Sequence, residues 1–261
     1  MFSTTRVAKG KPMKLLGSLV PFIIAASSLT AGTAIAPAAG ADSNQVAVAC
    51  DQGTGLAPEQ WIATCSSAVQ YARGPSERAI SYYNRARAYR AKGDNGQAIA
   101  DYSRAIDIVP DFAIAYQNRG VVFNAMGDRK RAIADYTRAI QLKPDLAVAY
   151  NNRGVALNAS GDSQRALADF AKAVQLEPGN PWAFNNRGDA YFRMHNWNAA
   201  IDDYSRALAL KPDLTYALYA RGAAKTYRGD RVAGHADMEA ANAMNPRVAA
   251  EQAQDGISPQ A

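Results

Sequence analysis

The sequence predicts an all-α solenoid: five 34-residue helix-turn-helix repeats behind an N-terminal capping half-repeat. Three observations carry this. AYQNRGVVFNAMGDRKRAIADYTRAIQLKPD (115–145) aligns without a gap to AYNNRGVALNASGDSQRALADFAKAVQLEPG (149–179), an offset of 34 residues, and a fixed period of that size marks a stack of repeating units. Apolar and small residues recur three and four apart in both halves of each unit, with no alternating strand pattern between them. A proline closes every unit at the same register position (Pro110, Pro144, Pro178, Pro212, Pro246), where it stops the second helix.

Residues 1–41 read as a leader. Arg6, Lys9, Lys11 and Lys14 are its charges, all before Leu15, and the 27 residues from Leu15 to Ala41 are uncharged. A basic start, an apolar middle and small residues at the end describe a secretory signal peptide. Ala34-Ile35-Ala36 and Ala39-Gly40-Ala41 both suit a signal peptidase, so cleavage falls after Ala36 or Ala41, and Met13 is an alternative start. The competing reading is an uncleaved anchor, because the uncharged stretch is long enough to span a bilayer; Gly17, Pro21, Gly32 and Pro37 dilute its apolarity. An exported protein, periplasmic or secreted, is therefore expected, with membrane contact only if the leader is retained.

The leader also explains the charge. The chain carries 29 Lys+Arg against 23 Asp+Glu, a net of +6, but without the four leader cations 25 face 23. That near-neutral body does not point to nucleic acid. Composition (48% apolar, 20% charged) suits a folded chain and excludes collagen, a long acidic disordered tail or a multi-span membrane protein.

Residues 42–55 read as a linker and 56–78 as a half-repeat covering the exposed face of the first unit. Trp61–Val69 mimics a second helix such as Ala166–Val174, with Cys65 at the position of a bulky aromatic. In an oxidising compartment Cys50 and Cys65 would pair, stabilising the cap by roughly 3 kcal/mol on the chain-entropy model. The alternative is a buried free Cys65 and a mobile Cys50.

The five units are 79–112, 113–146, 147–180, 181–214 and 215–248. The inner turn is Gly93-Asp94, Gly127-Asp128, Gly161-Asp162, His195-Asn196 and Gly229-Asp230. Glycine accepts the left-handed backbone that ends one helix, and Asp or Asn caps the next. Gly120, Gly154, Gly188 and Gly222 on the first helix, with Ala98, Ala132, Ala166 and Ala200 on the second, allow close approach around Tyr102, Tyr136, Phe170 and Tyr204. Residues 249–261 read as a flexible tail.

In length, helix order and signature positions this pattern resembles the tetratricopeptide repeat family. The resemblance implies a right-handed superhelix with a concave groove lined by the first helices; together with the leader and its style it gives the expectation of an exported bacterial protein of the envelope. Units 1 and 5 depart from the signature at Ala86 and at Gly234, Lys225 and His235, as terminal units of a stack do.

Positions that repeat in every unit maintain the stack. Arg85, Arg119, Arg153, Arg187 and Arg221 recur with Asp101, Asp135, Asp169, Asp203 and Asp237, which suggests Arg–Asp pairs within or across units, each worth about 0–1 kcal/mol if exposed. Positions that vary on the inner face can build specificity: Trp182, Asp189 and Arg193 in unit 4, Tyr216 and Tyr227 in unit 5. Asn84, Asn118, Asn152 and Asn186 recur on that face although Asn is a mediocre helix former. An amide can pair with the N–H and C=O of an extended peptide, and the series is similar to the asparagine ladder of O-linked N-acetylglucosamine transferases. The other reading is an Asn that bonds neighbouring helices.

No phosphate loop, G-x-S-x-G elbow, H-E-x-x-H or C-x-x-C motif is present, so neither an enzyme nor a cofactor or metal is expected. The function these observations favour is a scaffold or adaptor that binds a protein or peptide in the groove. The alternative is a regulatory or assembly subunit acting through its convex face or edges.

Overall fold

The computed structural model describes residues 43–53 and 55–258; the leader expected at 1–41 lies outside the described residues. Among them there are thirteen helices and no strand. None of these helices is long and apolar enough to cross a membrane.

The five predicted units are five helix pairs: α3 (Pro75–Lys92) with α4 (Asn95–Ile108), α5 (Ala113–Ala125) with α6 (Arg129–Leu142), α7 (Ala147–Ala159) with α8 (Ser163–Leu176), α9 (Pro181–Arg193) with α10 (Trp197–Leu210), and α11 (Thr215–Arg228) with α12 (Arg231–Met244). The turns form as their chemistry dictates. Asp94, Asp128, Asp162, Asn196 and Asp230 each accept a hydrogen bond from the backbone N–H three residues on, which satisfies an orphan donor at the helix start. The preceding residue is left-handed in all five, at φ +81 to +104° for the glycines and +58° for His195.

Within a pair the helices meet at glycine. A Cβ on Gly120, Gly154 or Gly188 would stand 2.8, 2.6 or 2.7 Å from the ring of Tyr136, Phe170 or Tyr204, and those rings are fully buried. In the last pair Gly222 and Gly234 face each other, with carbonyl oxygens 2.6–2.7 Å from where a Cβ would sit; this is what Gly234 does in place of the usual alanine. Successive first helices touch at α5–α7, α7–α9 and α9–α11, whereas among the described residues no two second helices pack to that extent. The first helices therefore lie on the inside of the curve.

Both ends differ from the sequence expectation. The linker of 42–55 contains a helix, α1 (Ser43–Gln52), which packs on α2 (Pro58–Tyr71) and α3. The cap is thus a helix pair, larger than a half-repeat. A disulfide joins Cys50 to Cys65 across it, with Cα atoms 4.8 Å apart, and both residues are buried. The Trp61 indole donates to the Cys50 carbonyl at 2.8 Å, and Gly53 leaves room for that indole. At the other end, residues 249–258 of the expected flexible tail (249–261) are a helix and a packed turn. α13 (Val248–Gln254) packs on α11 and α12, and Ile257 beyond it is 1% exposed.

Candidate functional site

The recurrent charges are structural, and more than surface decoration. In each unit the Arg of the first helix grips the Asp of the second through two bonds, Nε and Nη2 to the two carboxylate oxygens, at 2.6–3.0 Å. The pairs lie within units, and the carboxylates are 0–13% exposed, so the energy scale for exposed pairs does not apply. The Asp bond raises the pKa of Arg85, Arg119, Arg153 and Arg187, with burial opposing it. The third guanidinium nitrogen reaches across units to a hydroxyl on the preceding second helix: Arg85 to Ser66, Arg119 to Ser103, Arg153 to Thr137, Arg221 to Ser205. Arg187 has no such bond, because the corresponding residue is Ala171.

The asparagine series divides. Asn84 is buried, donates to Asp51 of α1 and accepts from Arg87. Asn118 donates to the Tyr83 hydroxyl at 2.7 Å, and Asn186 to Asn151 Oδ1 at 2.9 Å. These three bridge neighbouring first helices. Asn152 makes no side-chain hydrogen bond among the described residues and stays partly exposed. Around it the inner face from unit 2 to the start of unit 4 is open, from Val121 through Val148 (40% exposed) and Val155 to Trp182 (45% exposed).

Unit 5 is closed. Ala220 and Ala223 of its inner face are fully buried, and the Tyr216 hydroxyl donates to Glu251 of α13 at 3.0 Å. Tyr227 stacks on Trp197 with centroids 4.7 Å apart, and Phe192 and His195 stand edge-on to that indole. These rings line a cavity of about 370 Å³ together with Arg193 and Gly256.

Unit 4 holds the unusual electrostatics. Asp189 accepts from the Tyr204 hydroxyl at 2.8 Å and from the Asn185 amide at 3.3 Å. Burial pushes its carboxyl up to about 7; the Tyr204 bond pulls it down, nearby Asp255 adds to the rise and Arg193 opposes it. Arg193 donates to the backbone carbonyl of Asp255. Of the predicted residues, the structure thus gathers Asp189 and Arg193 at one place, with Tyr227 beside them, and leaves Trp182 on the open strip. It adds Asp255, Gly256 and Ile257, read in sequence as tail. The signal was present: Gly256 after a helical run and an apolar residue after the glycine is a helix stop.

Fold and inner face define a class: a helix-pair repeat protein of the kind that serves as a scaffold for other proteins. The chain is a tetratricopeptide-repeat protein. A "TPR repeat" family model matches residues 86–127 and 156–195, and a "Tetratricopeptide repeat" model matches 113–146 and 181–214. No curated protein matches it. Among solved structures, MamA is similar at 22% identity over 65% of this chain and 92% of its own, with a TM-score of 0.59. YrrB, described as a TPR protein with an unusual peptide-binding site, gives 20%, 73%, 97% and 0.59. PilF of Pseudomonas aeruginosa gives 16%, 81%, 99% and 0.68. At these identities the likenesses show the fold.

Proposed function

We propose that this protein is an exported adaptor of the cell envelope that captures an extended segment of a partner on the inner face of units 2–4. The observation that carries the reading is the open strip itself. It runs between two ends that the chain closes with its own residues, Asp51 over Asn84 and α13 over unit 5, and it combines valine and tryptophan surface with an unpartnered amide at Asn152. Apolar area binds a segment and amides fix its backbone. YrrB, with a peptide-binding site on the same fold, supports the mode of binding, and the leader and disulfide-bonded cap support the location.

The test uses the exported chain as bait in extract of its own compartment. Partners retained by the wild type and lost from both Asn118→Ala/Asn152→Ala/Asn186→Ala and Val155→Arg, with helicity unchanged, are the expected result. Partners that bind all three baits equally place the interaction on the convex face or edges and overturn the groove. Export is checked by N-terminal sequencing of the protein from cells, where a start at Pro37 or Asp42 is expected and an intact leader overturns cleavage.

A further inference from the structure

The last helix ends in a turn that reaches back onto the groove. Ile257 N–H bonds the Gln252 carbonyl and Gly256 N–H that of Ala253, with Gly256 left-handed at φ +76°; this is the Schellman arrangement, in which the residue after the glycine supplies an apolar contact. Here that contact is remote in sequence. Ile257 joins the apolar cluster of units 4 and 5 that contains Phe192, Tyr204 and Ala223. Asp255 and Ile257 also wall a cavity of about 180 Å³ with Val155, Asn186 and Asp189 on the first helices of units 3 and 4. Gly256 walls the neighbouring aromatic cavity. Arg193 lines both and holds the Asp255 carbonyl between them.

The turn sits in this place as a small ligand would: one aliphatic side chain buried, one backbone carbonyl held by a guanidinium. It is also an imperfect one, because the Asp255 carboxylate lies near that of Asp189 and raises the cost of ionising it. His195 marks the same spot, being the one non-glycine residue among those described with positive φ; an L-residue there is strained, and such strain gathers at functional sites.

We propose that the Asp255–Ile257 turn is a built-in competitor for the groove: the trough beneath it on units 3–5 takes a partner segment bearing an aliphatic side chain just after a free carbonyl and a neutral residue, and the partner enters by displacing the turn. This rests on the groove reading above and names both the chemistry of the partner and the gate it must open. Tethering gives the turn an effective concentration of about millimolar, so a free peptide of equal intrinsic affinity loses to it until the turn is released.

The probe is a fluorescein-labelled peptide of residues 248–261 carrying Asp255→Asn, read by anisotropy against the full chain and its variants. At least tenfold tighter binding to Ile257→Asp than to the wild type is expected, with loss of binding when Arg193→Ala is added to that variant. Equal affinity for wild type and Ile257→Asp overturns the gate, and no binding to a helical Ile257→Asp overturns the site. A second readout needs no variant: amide exchange at Ile257 in the wild type should exceed that of the Tyr204 helix core at least a hundredfold, and exchange of both together overturns an opening turn. A captured partner that is lost from Val155→Arg yet binds wild type and Ile257→Asp alike leaves the groove standing and removes only the gate.

Discussion

Replacing Arg153 by Met tests whether the buried Arg–Asp pairs hold each unit together. The Asp169 side chain is 7% exposed and receives both its charged bonds, at 2.7 and 2.8 Å, from Arg153; among the described residues no second cation reaches it. Arg153→Met keeps much of the aliphatic stem and leaves an uncompensated buried carboxylate, a change that costs about 3–5 kcal/mol. Asp237 is different: burial pushes its carboxyl up, but hydrogen bonds from Arg221 and Lys225 hold it below the ordinary value, and Lys225, at 2.8 Å, is a second cation that Arg221→Met leaves in place. A surviving charge-assisted bond contributes about 1.5–3 kcal/mol, so Arg221→Met should cost that much less than Arg153→Met. The double variant Arg153→Met/Asp169→Leu removes charge and partner together and should lie within about 1 kcal/mol of the wild type, or above it. Urea unfolding followed by circular dichroism gives all four midpoints. Equal losses for the two single variants, or a double variant as unstable as Arg153→Met, would refute the role given to burial.

Ala171→Ser should supply Arg187 with the hydroxyl that the other four arginines have and raise stability by about 0.5–1 kcal/mol in the same assay; no gain would show that these cross-unit bonds are neutral. Gly154→Ala places a Cβ 2.6 Å from the Phe170 ring; overpacking of about 1–3 kcal/mol exceeds the helix-propensity gain of about 1, so a net loss is expected, relieved by Phe170→Leu in the double variant. For Asp189, whose carboxyl is raised to about 7, the folded state keeps a proton between about pH 4 and 7 that the unfolded chain releases. Its contribution is full below pH 4 and is lost as pH rises through 7. A proton on Oδ2 also gives the buried Asn185 carbonyl, which lacks a partner, a donor once that amide turns over. The urea midpoint should therefore fall between about pH 4 and 7 more steeply in the wild type than in Asp189→Asn, and parallel slopes would count against it.

The repeats were legible because the units restate the same rules: Gly-Asp at the turn in four of five, Pro at the stop in all five, Gly opposite an aromatic ring in three. Ends are where repetition fails. α1 lacks the signature and is held by the Cys50–Cys65 disulfide, a pairing the two cysteines suggested, and by the Trp61 bond and Asp51, contacts visible only once the chain is folded. α13 was readable from Gly256-Ile257, but its destination was not, since no local pattern says that a helix stop will settle on a unit 62 residues away. The asparagine series shows the opposite limit. Its periodicity was plain, yet a periodic amide can serve ligand or neighbour equally, and three of the four have neighbours as partners.

The missing hydroxyl at Ala171 makes the junction of units 3 and 4 unlike the others. Every other junction is riveted by an arginine that clasps its own unit and the one before; between units 3 and 4 that rivet is absent. There the first helices are joined instead by the Asn186–Asn151 bond. The C-terminal turn lies over this same junction, sharing a cavity wall with unit 3 and unit 4 together, so the chain's own end spans the one seam that lacks an arginine rivet.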